Sequence, residues 1–589
     1  MENIQSTAAR SLPKSTSRLK PRRAGVPCIR CRQMKVKCNA SQKFPAACSS
    51  CESARERCSV DPSFKRTAKR SQKSGHGYDE GGSAYRTPLS EGSATPHEPL
   101  PTLDSSVASI IAELRVGGKR PVRFTHEATG VNLTSSVVAD LIDEYYSNLH
   151  PRFPLLLEPA VILDSYEKAP LLFWTVLAIA SKDSEKYASD YPRLQILVKQ
   201  LVADILLLGN RSIYLVQALV LLCVWSFPHE DMNKEPFSMY CSVAISMARS
   251  LGLHRPQHPF VLFAAKASEI GSLETRTLTW LSCFIVDQWH TGRFGVPSSV
   301  RIDHTVLHAL NPSTAGVPAP TRIQLHIALV TSKISTALGE CETSSTGLTS
   351  DPLPFVRAFE TELSMIQDKY ADSWSPAEEV SLLDARLGLY SYALDRKKTE
   401  PPIVTQSMIT AKNLLIVLTT FPDALRKGTF HVFRSASYAV FFLLRILGTA
   451  PREWVDEPGI RNIIRQTFTL MKDLSQTAND RRNQCARVCR IVEHMIDYED
   501  WDADPPFVGK AESFMAKNFV AEVAARGMIK AAKAERDSRE AAAAAGGGPS
   551  EGEVNFDFDF SILDQIGWPV NWPDGDDLLF LPGNVGGSS

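Results

Sequence analysis

The sequence predicts a mostly α-helical protein in which a small cysteine-rich module, a disordered linker, a large all-α domain and a disordered acidic tail follow one another along 589 residues. Three observations carry that prediction. Six cysteines crowd into residues 28–58, apolar residues recur at helical spacing through residues 135–500, and acidic and aromatic residues interleave after residue 550. A chain of this length exceeds a single compact domain, so shifts in composition are read as boundaries.

The first element is a basic arm, residues 1–27, expected to be disordered. The formal charge of the chain is zero, yet residues 1–75 carry 18 Lys+Arg against 4 Asp+Glu, an excess of +14 that the remainder must balance. Such a footprint points to nucleic acid, where counterion release drives binding and makes it salt-dependent. The clusters Lys20-Pro21-Arg22-Arg23, Lys65-Arg66 and Lys69-Arg70 also suit nuclear import. MENIQSTAARSLPK contains no apolar stretch of the kind that directs export.

Residues 28–58 come next and read Cys28-x2-Cys31-x6-Cys38-x9-Cys48-x2-Cys51-x6-Cys58, one half-motif written twice. A Cys-x2-Cys pair brings two thiolates to one metal from a single turn, and a third cysteine six residues on returns to it. Two tetrahedral zinc ions need eight sulfur contacts. Six cysteines suffice only if two bridge, and the repeat selects its first members, Cys28 and Cys48. Cys31 and Cys38 then complete one site, Cys51 and Cys58 the other. So short a segment cannot build an apolar core, so metal binding, worth on the order of ten kcal/mol, would fold it. A disulfide framework would require an oxidising compartment that nothing here indicates, and no histidine lies among the six for a mixed-ligand finger.

CIRCRQMKVKC followed by CSSCESARERC resembles the fungal binuclear zinc-cluster transcription factors. The resemblance implies that the first short helix meets the DNA major groove and that a lysine and backbone carbonyls there read a CGG triplet. That lysine falls on Lys35, whose ammonium suits guanine O6 and N7. Arg32 and Lys37 match positions that approach phosphates, and Arg30, Arg55 and Arg57 are further phosphate candidates. Their alternative role is to balance the cluster's negative charge. The sequence departs from the usual pattern at two places: two alanines separate Pro45 from Cys48, and Met34 stands where a basic residue is common.

Residues 59–102 run through Gly, Ser, Pro and charge without apolar periodicity and read as a disordered linker. Leu103, Val107, Ile110 and Leu114 then follow a heptad-like spacing in a short helix, 103–116, which Gly117-Gly118 ends. It is too short for a convincing coiled coil, so packing on the next domain is favoured. A homodimerisation element remains the alternative.

Segments such as VVADLIDEYYSNLH, PLLFWTVLAIAS and SIYLVQALVLLCVWSF each have the length of a globular helix and are separated by turn residues, which predicts an α-helical domain over 135–500. Tyr214 to Trp225 is the most apolar piece. It is far shorter than the roughly twenty residues a membrane span needs, and Arg211 and the HED triplet at 229–231 close it, so no membrane partner is expected. SIYLVQALVLLCVWSFP, MARSLGLHRP and Arg276-x3-Trp280-x6-Asp287 with Gly292-Arg293-Phe294-Gly295-Val296-Pro297 resemble the middle homology region of the same family. They look most like the branch of leucine-biosynthesis, weak-acid-resistance and secreted-protease regulators.

No Gly-rich phosphate loop, G-x-S-x-G elbow or H-E-x-x-H pair occurs, so no catalytic residues are assigned and an enzyme is the remote alternative. Arg276, Asp287 and Arg293 read better as structural ion pairs between helices than as an acid/base set. His254 and Arg255 before Pro256 read as a helix end. Cys223, Cys241 and Cys283 read as buried apolar residues, and Cys485 and Cys489 as unremarkable thiols. The resemblance implies a regulatory domain, in which a helix-lined cavity would take a small-molecule effector.

A helical segment, 508–545, leads into Gly546-Gly547-Gly548-Pro549 and the tail 546–589. Residues 551–589 hold eight acidic residues, none basic and six aromatics: Phe556, Phe558, Phe560, Trp568, Trp572 and Phe580. Carboxylate repulsion keeps the aromatics exposed for coactivator grooves, the composition of an activation tail. The whole reads as a nuclear, sequence-specific regulator of RNA polymerase II genes, an activator rather than a repressor, with two zinc ions, double-stranded DNA with CGG-type half-sites and coactivators as partners.

Overall fold

The computed structural model describes residues 28, 31, 37–43, 46–54, 58, 103–116, 123–182, 184, 186–208, 211–227, 236–258, 271–311, 314, 316–394, 400–477, 482–497 and scattered positions between 523 and 537. The arm 1–27, the linker 59–102 and the tail 546–589 lie outside them, as does most of 508–545. The chain divides into two compact units, Met1–His97 and Glu98–Ser589. In the first, α1 (Ala40–Lys43) and α2 (Ser49–Ser53) are single short turns.

The second unit is mostly α, as expected. Helix α3 (Leu103–Val116) packs on α4 (Ser135–Glu144) and buries Val107, Ile110, Ile111 and Leu114, so its apolar stripe is used within the chain. Arg115 reaches Asp140 of α4 at 3.0 Å. Lys186 and Tyr187 approach the other carboxylate oxygen at 2.9 and 2.5 Å.

Between α3 and α4 lies an antiparallel hairpin that periodicity does not reveal: β1 (Arg123–His126) pairs with β2 (Val131–Thr134), Arg123 opposite Thr134 and His126 opposite Val131. Strands of four residues are too short for an alternating pattern to stand out. The turn closes at Gly130, whose φ of 65° lies in the left-handed region that glycine enters without a Cβ penalty. Phe124 points inward and packs on Tyr166 and Phe173, with ring centroids 5.0 and 5.1 Å away.

The helices that follow pack mainly on their sequence neighbours, in keeping with short connections. They are α5 (Ala160–Lys168), α6 (Pro170–Ser181), α7 (Tyr191–Leu208), α8 (Ile213–Val224), α9 (Phe237–Ser250), α10 (Leu273–Phe294) and α11 (His304–Ala309). Helices α6 and α8 are apolar around most of their circumference and are buried accordingly. Side-chain oxygens of Thr134, Ser212, Ser272 and Asp303 accept from the third following N–H, which sets where α4, α8, α10 and α11 begin. Gly295, at φ 60°, ends α10.

The C-terminal half stacks α12 (Ala319–Gly339), α13 (Leu353–Tyr370), α14 (Pro376–Leu394), α15 (Pro401–Thr420), α16 (Pro422–Arg426), α17 (Phe430–Thr449), α18 (Glu457–Thr477) and α19 (Arg482–Met495). A continuous apolar core runs from α3 to α19, and a smaller one lies among α12, α13 and α14 around Leu338, Leu363 and Leu389. Helices α15 and α17 are long and apolar enough to cross a membrane. However, 56% and 67% of their apolar windows are buried inside the domain, where the two pack on each other.

Arg276 and Asp287 are structural in a form different from an interhelical ion pair. Arg276 donates to the carbonyls of Pro256 and Gly271 at 2.9 and 2.5 Å. Asp287, fully buried, accepts from Ser298 Oγ at 2.6 Å, Val300 N at 3.0 Å and Ser299 N at 3.2 Å, fixing the loop after α10. The side chain of Arg293 lies outside the described residues. Burial pushes the thiols of Cys241 and Cys283 far above the ordinary range and that of Cys489 up to about 11, consistent with inert core cysteines.

Candidate metal centre and nucleic-acid interface

The two half-motifs of the first unit adopt the same local geometry. The N–H of Cys31 donates to Cys28 Sγ at 3.5 Å, and that of Cys51 to Cys48 Sγ at 3.4 Å. The N–H of Cys28 donates to Cys38 Sγ at 3.2 Å, and that of Cys48 to Cys58 Sγ at 3.4 Å. Two residues between cysteines give the turn that aims the later amide back at the earlier sulfur, so identical spacing produces identical bonds. Cys48 thereby caps α2.

The halves then meet face to face. Cys28 Sγ lies 3.9 Å from Cys48 Sγ and 3.6 Å from Cys51 Sγ, and Cys31 Sγ lies 3.6 Å from Cys48 Sγ. Cys28, Cys31, Cys48 and Cys51 are all buried, with their sulfurs within 4.8 Å of one another, while Cys38 and Cys58 flank them half-buried. None of the six forms a disulfide. Zinc–thiolate bonds of about 2.3 Å at tetrahedral angles separate two sulfurs by about 3.8 Å, the spacing seen here. A disulfide would need about 2.05 Å. The donor set therefore fits zinc. When bound, the metal supplies the folding free energy that so few apolar residues cannot.

Electrostatics point the same way. Burial pushes Cys28 up to about 12 and Cys31 up to about 11. For Cys48 burial also opposes ionisation, but the Cys51 N–H and the thiols of Cys51, Cys31 and Cys58 outweigh it and bring the pKa down to about 6. Once one thiolate forms, its crowded neighbours resist charging until a cation joins them.

Two contacts that the spacing rule does not announce tie the halves together. Asn39 Nδ2 donates to Ser49 Oγ at 2.9 Å, and Ser49 N donates to Asn39 Oδ1 at 2.9 Å, a reciprocal pair that sets α2 beside the end of the first half. Lys43 and Glu52 add an exposed ion pair at 2.8 Å, which holds the Glu52 carboxyl below its usual range. Asn and Ser are so common in loops that nothing in the sequence singles them out. Of the basic candidates, Lys37 is exposed, whereas Arg30, Arg32, Lys35, Arg55 and Arg57 lie outside the described residues. So do the six aromatics of the tail.

Comparison with known proteins matches residues 26–67 to the fungal Zn(2)-Cys(6) binuclear cluster domain and residues 142–316 to the fungal specific transcription factor domain. The putative transcription factor SEF1 of Eremothecium gossypii is 25% identical over 59% of this chain and 33% of its own length. The transcriptional regulatory protein SEF1 of Candida albicans is 22% identical over 83% of this chain and 61% of its own. The regulatory protein LEU3 of Saccharomyces cerevisiae is 22% identical over 62% of this chain and 50% of its own. The chain thus spans between about a third and about three fifths of the length of these relatives. These domains and relatives are those of transcription factors, not of enzymes. A cysteine cluster folded as a doubled half-motif, joined to a helical domain of this kind, is similar to the fungal binuclear zinc-cluster transcription factors, whose two domains it matches and whose SEF1 and LEU3 members it resembles.

Proposed function

We propose that the chain is a nuclear, sequence-specific regulator of RNA polymerase II genes, acting as an activator. The doubled geometry of Cys28/Cys31/Cys38 and Cys48/Cys51/Cys58 supports the reading most strongly. Two zinc ions are held by six thiolates, with Cys28 and Cys48 bridging. The module reads CGG-type triplets through Lys35, while Arg32 and Lys37, and more weakly Arg30, Arg55 and Arg57, contact phosphates and set its position. The excess of +14 in residues 1–75 adds salt-dependent affinity.

Residues 59–102 tether the reader to the helical domain, 135–500, which controls the output in response to a small-molecule effector. The aromatics Phe556, Phe558, Phe560, Trp568, Trp572 and Phe580 engage coactivators. Homodimerisation would pair half-sites.

A reporter bearing CGG-type sites tests the proposal. Expression should rise with the intact chain, fall to background with Cys28→Ser, and fall with deletion of 551–589 while occupancy of the sites persists. Higher expression on deleting the tail would make the chain a repressor.

A further inference from the structure

Helices α10, α12, α14 and α17 line a small cavity that opens to solvent. Its walls are unusual in which hydrogen-bonding groups they leave available. Thr331 donates its hydroxyl proton to the Ile327 carbonyl at 3.0 Å, Ser335 to Thr331 at 3.2 Å, Ser381 to Ala377 at 3.0 Å and Ser435 to His431 at 3.0 Å. A hydroxyl has one proton and two lone pairs, so each of these four presents only acceptor capacity to the cavity.

Two further polar groups lack any partner among the described residues. Gln288 Oε1 and Thr291 Oγ1 line the cavity from adjacent turns of α10, and both residues are only 2% exposed. The Gln288 amide nitrogen donates to Ser298 Oγ at 2.9 Å, while its carbonyl oxygen has no partner among the described residues. Buried polar groups left without partners are costly, so a ligand that accepts from the Thr291 hydroxyl or donates to the Gln288 carbonyl oxygen gains more than solvent exposure would suggest. Asp384 and Arg434 also line the space and bring opposite charges. The four committed hydroxyls and the Gln288 carbonyl oxygen offer lone pairs, while Arg434 and the Thr291 hydroxyl can donate, so a neutral molecule carrying both donors and acceptors finds more partners here than a carboxylate does. Ile327, Ala328 and the Trp289 ring, stacked on His431 with centroids 4.7 Å apart, supply apolar surface for the carbon skeleton of such a molecule.

Resting on the effector reading above, we infer that this cavity binds a neutral, polyhydroxylated small molecule of the sugar or polyol class. Binding would knit four helices that meet only partly without it, stabilising one arrangement of the domain over others.

The full chain, loaded with zinc, is titrated with myo-inositol, sorbitol and glucose, and in parallel with malate and citrate, while tryptophan fluorescence and thermal midpoint are read at millimolar concentrations. At least one polyol should give a saturable signal, distinct from the unsaturating stabilisation that sugars exert on any protein. Thr291→Val removes an unpartnered buried hydroxyl, so the ligand-free midpoint should hold or rise while polyol affinity falls about tenfold. Ala328→Phe, which fills the cavity, should abolish the signal. If that variant unfolds, Thr291→Val alone carries the test. Saturation by malate or citrate only, lost in Ala328→Phe, would overturn the polyol class yet leave an effector in this cavity. A polyol signal insensitive to both substitutions, or none from any polyol, would overturn the inference. Effector control itself fails separately if reporter output responds identically in wild type and Ala328→Phe cells across carbon sources.

Discussion

Cys28 Sγ and Cys48 Sγ lie 3.9 Å apart although twenty residues separate them, and each accepts the N–H of the cysteine three positions on. The two sulfurs occupy equivalent places in equivalent half-motifs, which is the position a bridging ligand needs. Replacing either by serine should remove both metals, whereas Cys31→Ser should first reduce content to one ion per chain. Native mass spectrometry of the full chain decides this. Two ions retained by Cys28→Ser would refute the bridging assignment.

Chelation bears on folding as well as on metal content. Removing zinc withdraws on the order of ten kcal/mol from a segment with almost no apolar core, so residues 28–58 should lose amide protection while α10 and α17 keep theirs. Hydrogen exchange followed by mass spectrometry reads both regions in one experiment. Protection persisting across 28–58 after chelation would mean that the segment folds without metal.

The proposed reading contact separates from the phosphate contacts by its dependence on sequence. Lys35→Ala should cost about 1–3 kcal/mol on a CGG-containing duplex and relax discrimination at one base. Lys37→Ala should weaken binding evenly across sequences and lower the slope of affinity against salt by about one ion. Fluorescence anisotropy at several salt concentrations distinguishes them. An equal loss on random DNA for Lys35→Ala would make it a phosphate contact.

Asp140 links α3 to α4 and to the loop before α7. The Tyr187 hydroxyl, then Lys186 and Arg115, hold its pKa near 2 against the resisting effect of burial, from an ordinary value of 3.8. A depressed carboxylate stabilises the fold above its unfolded pKa, and that contribution disappears as pH falls from about 4 through about 2. Its side chain is 24% exposed, so solvent screening reduces the worth of the network to about 1 kcal/mol. Asp140→Asn should lower the urea midpoint at pH 7 and flatten the pH dependence below 4. Wild type and variant with parallel pH profiles would remove Asp140 from the account.

The loop after α10 offers a sharper case. Asp287→Ala would strand the N–H groups of Ser299 and Val300 in a buried setting and should cost about 3 kcal/mol, seen as a drop in thermal midpoint with zinc content unchanged. A midpoint shift near zero would mean that the loop repacks around water.

What could be read from sequence divides along physical lines. The cysteine cluster was legible because metal ligation imposes covalent spacing, and Cys28 to Cys58 obey one rule at six positions. Helices such as α6 and α8 were legible because burying a helix demands a periodic apolar surface. The hairpin around Gly130 was not, since four-residue strands carry too little pattern. Nor were Gln288 and Thr291, which look like incidental polar residues on a core helix until the packing of α12, α14 and α17 shows what they face. Asp287 reads from sequence as half of an interhelical ion pair, but its partners are the Ser298 hydroxyl and the amides of Ser299 and Val300, which no residue-type argument can locate.

Selection of bound duplexes from a random pool by the zinc-loaded chain, repeated after chelation, tests the central claim most directly. The account predicts enrichment of CGG-type triplets at a fixed spacing, lost on chelation and blurred at one base by Lys35→Ala. Enrichment that survives chelation, or no enrichment from the zinc-loaded chain, would contradict it.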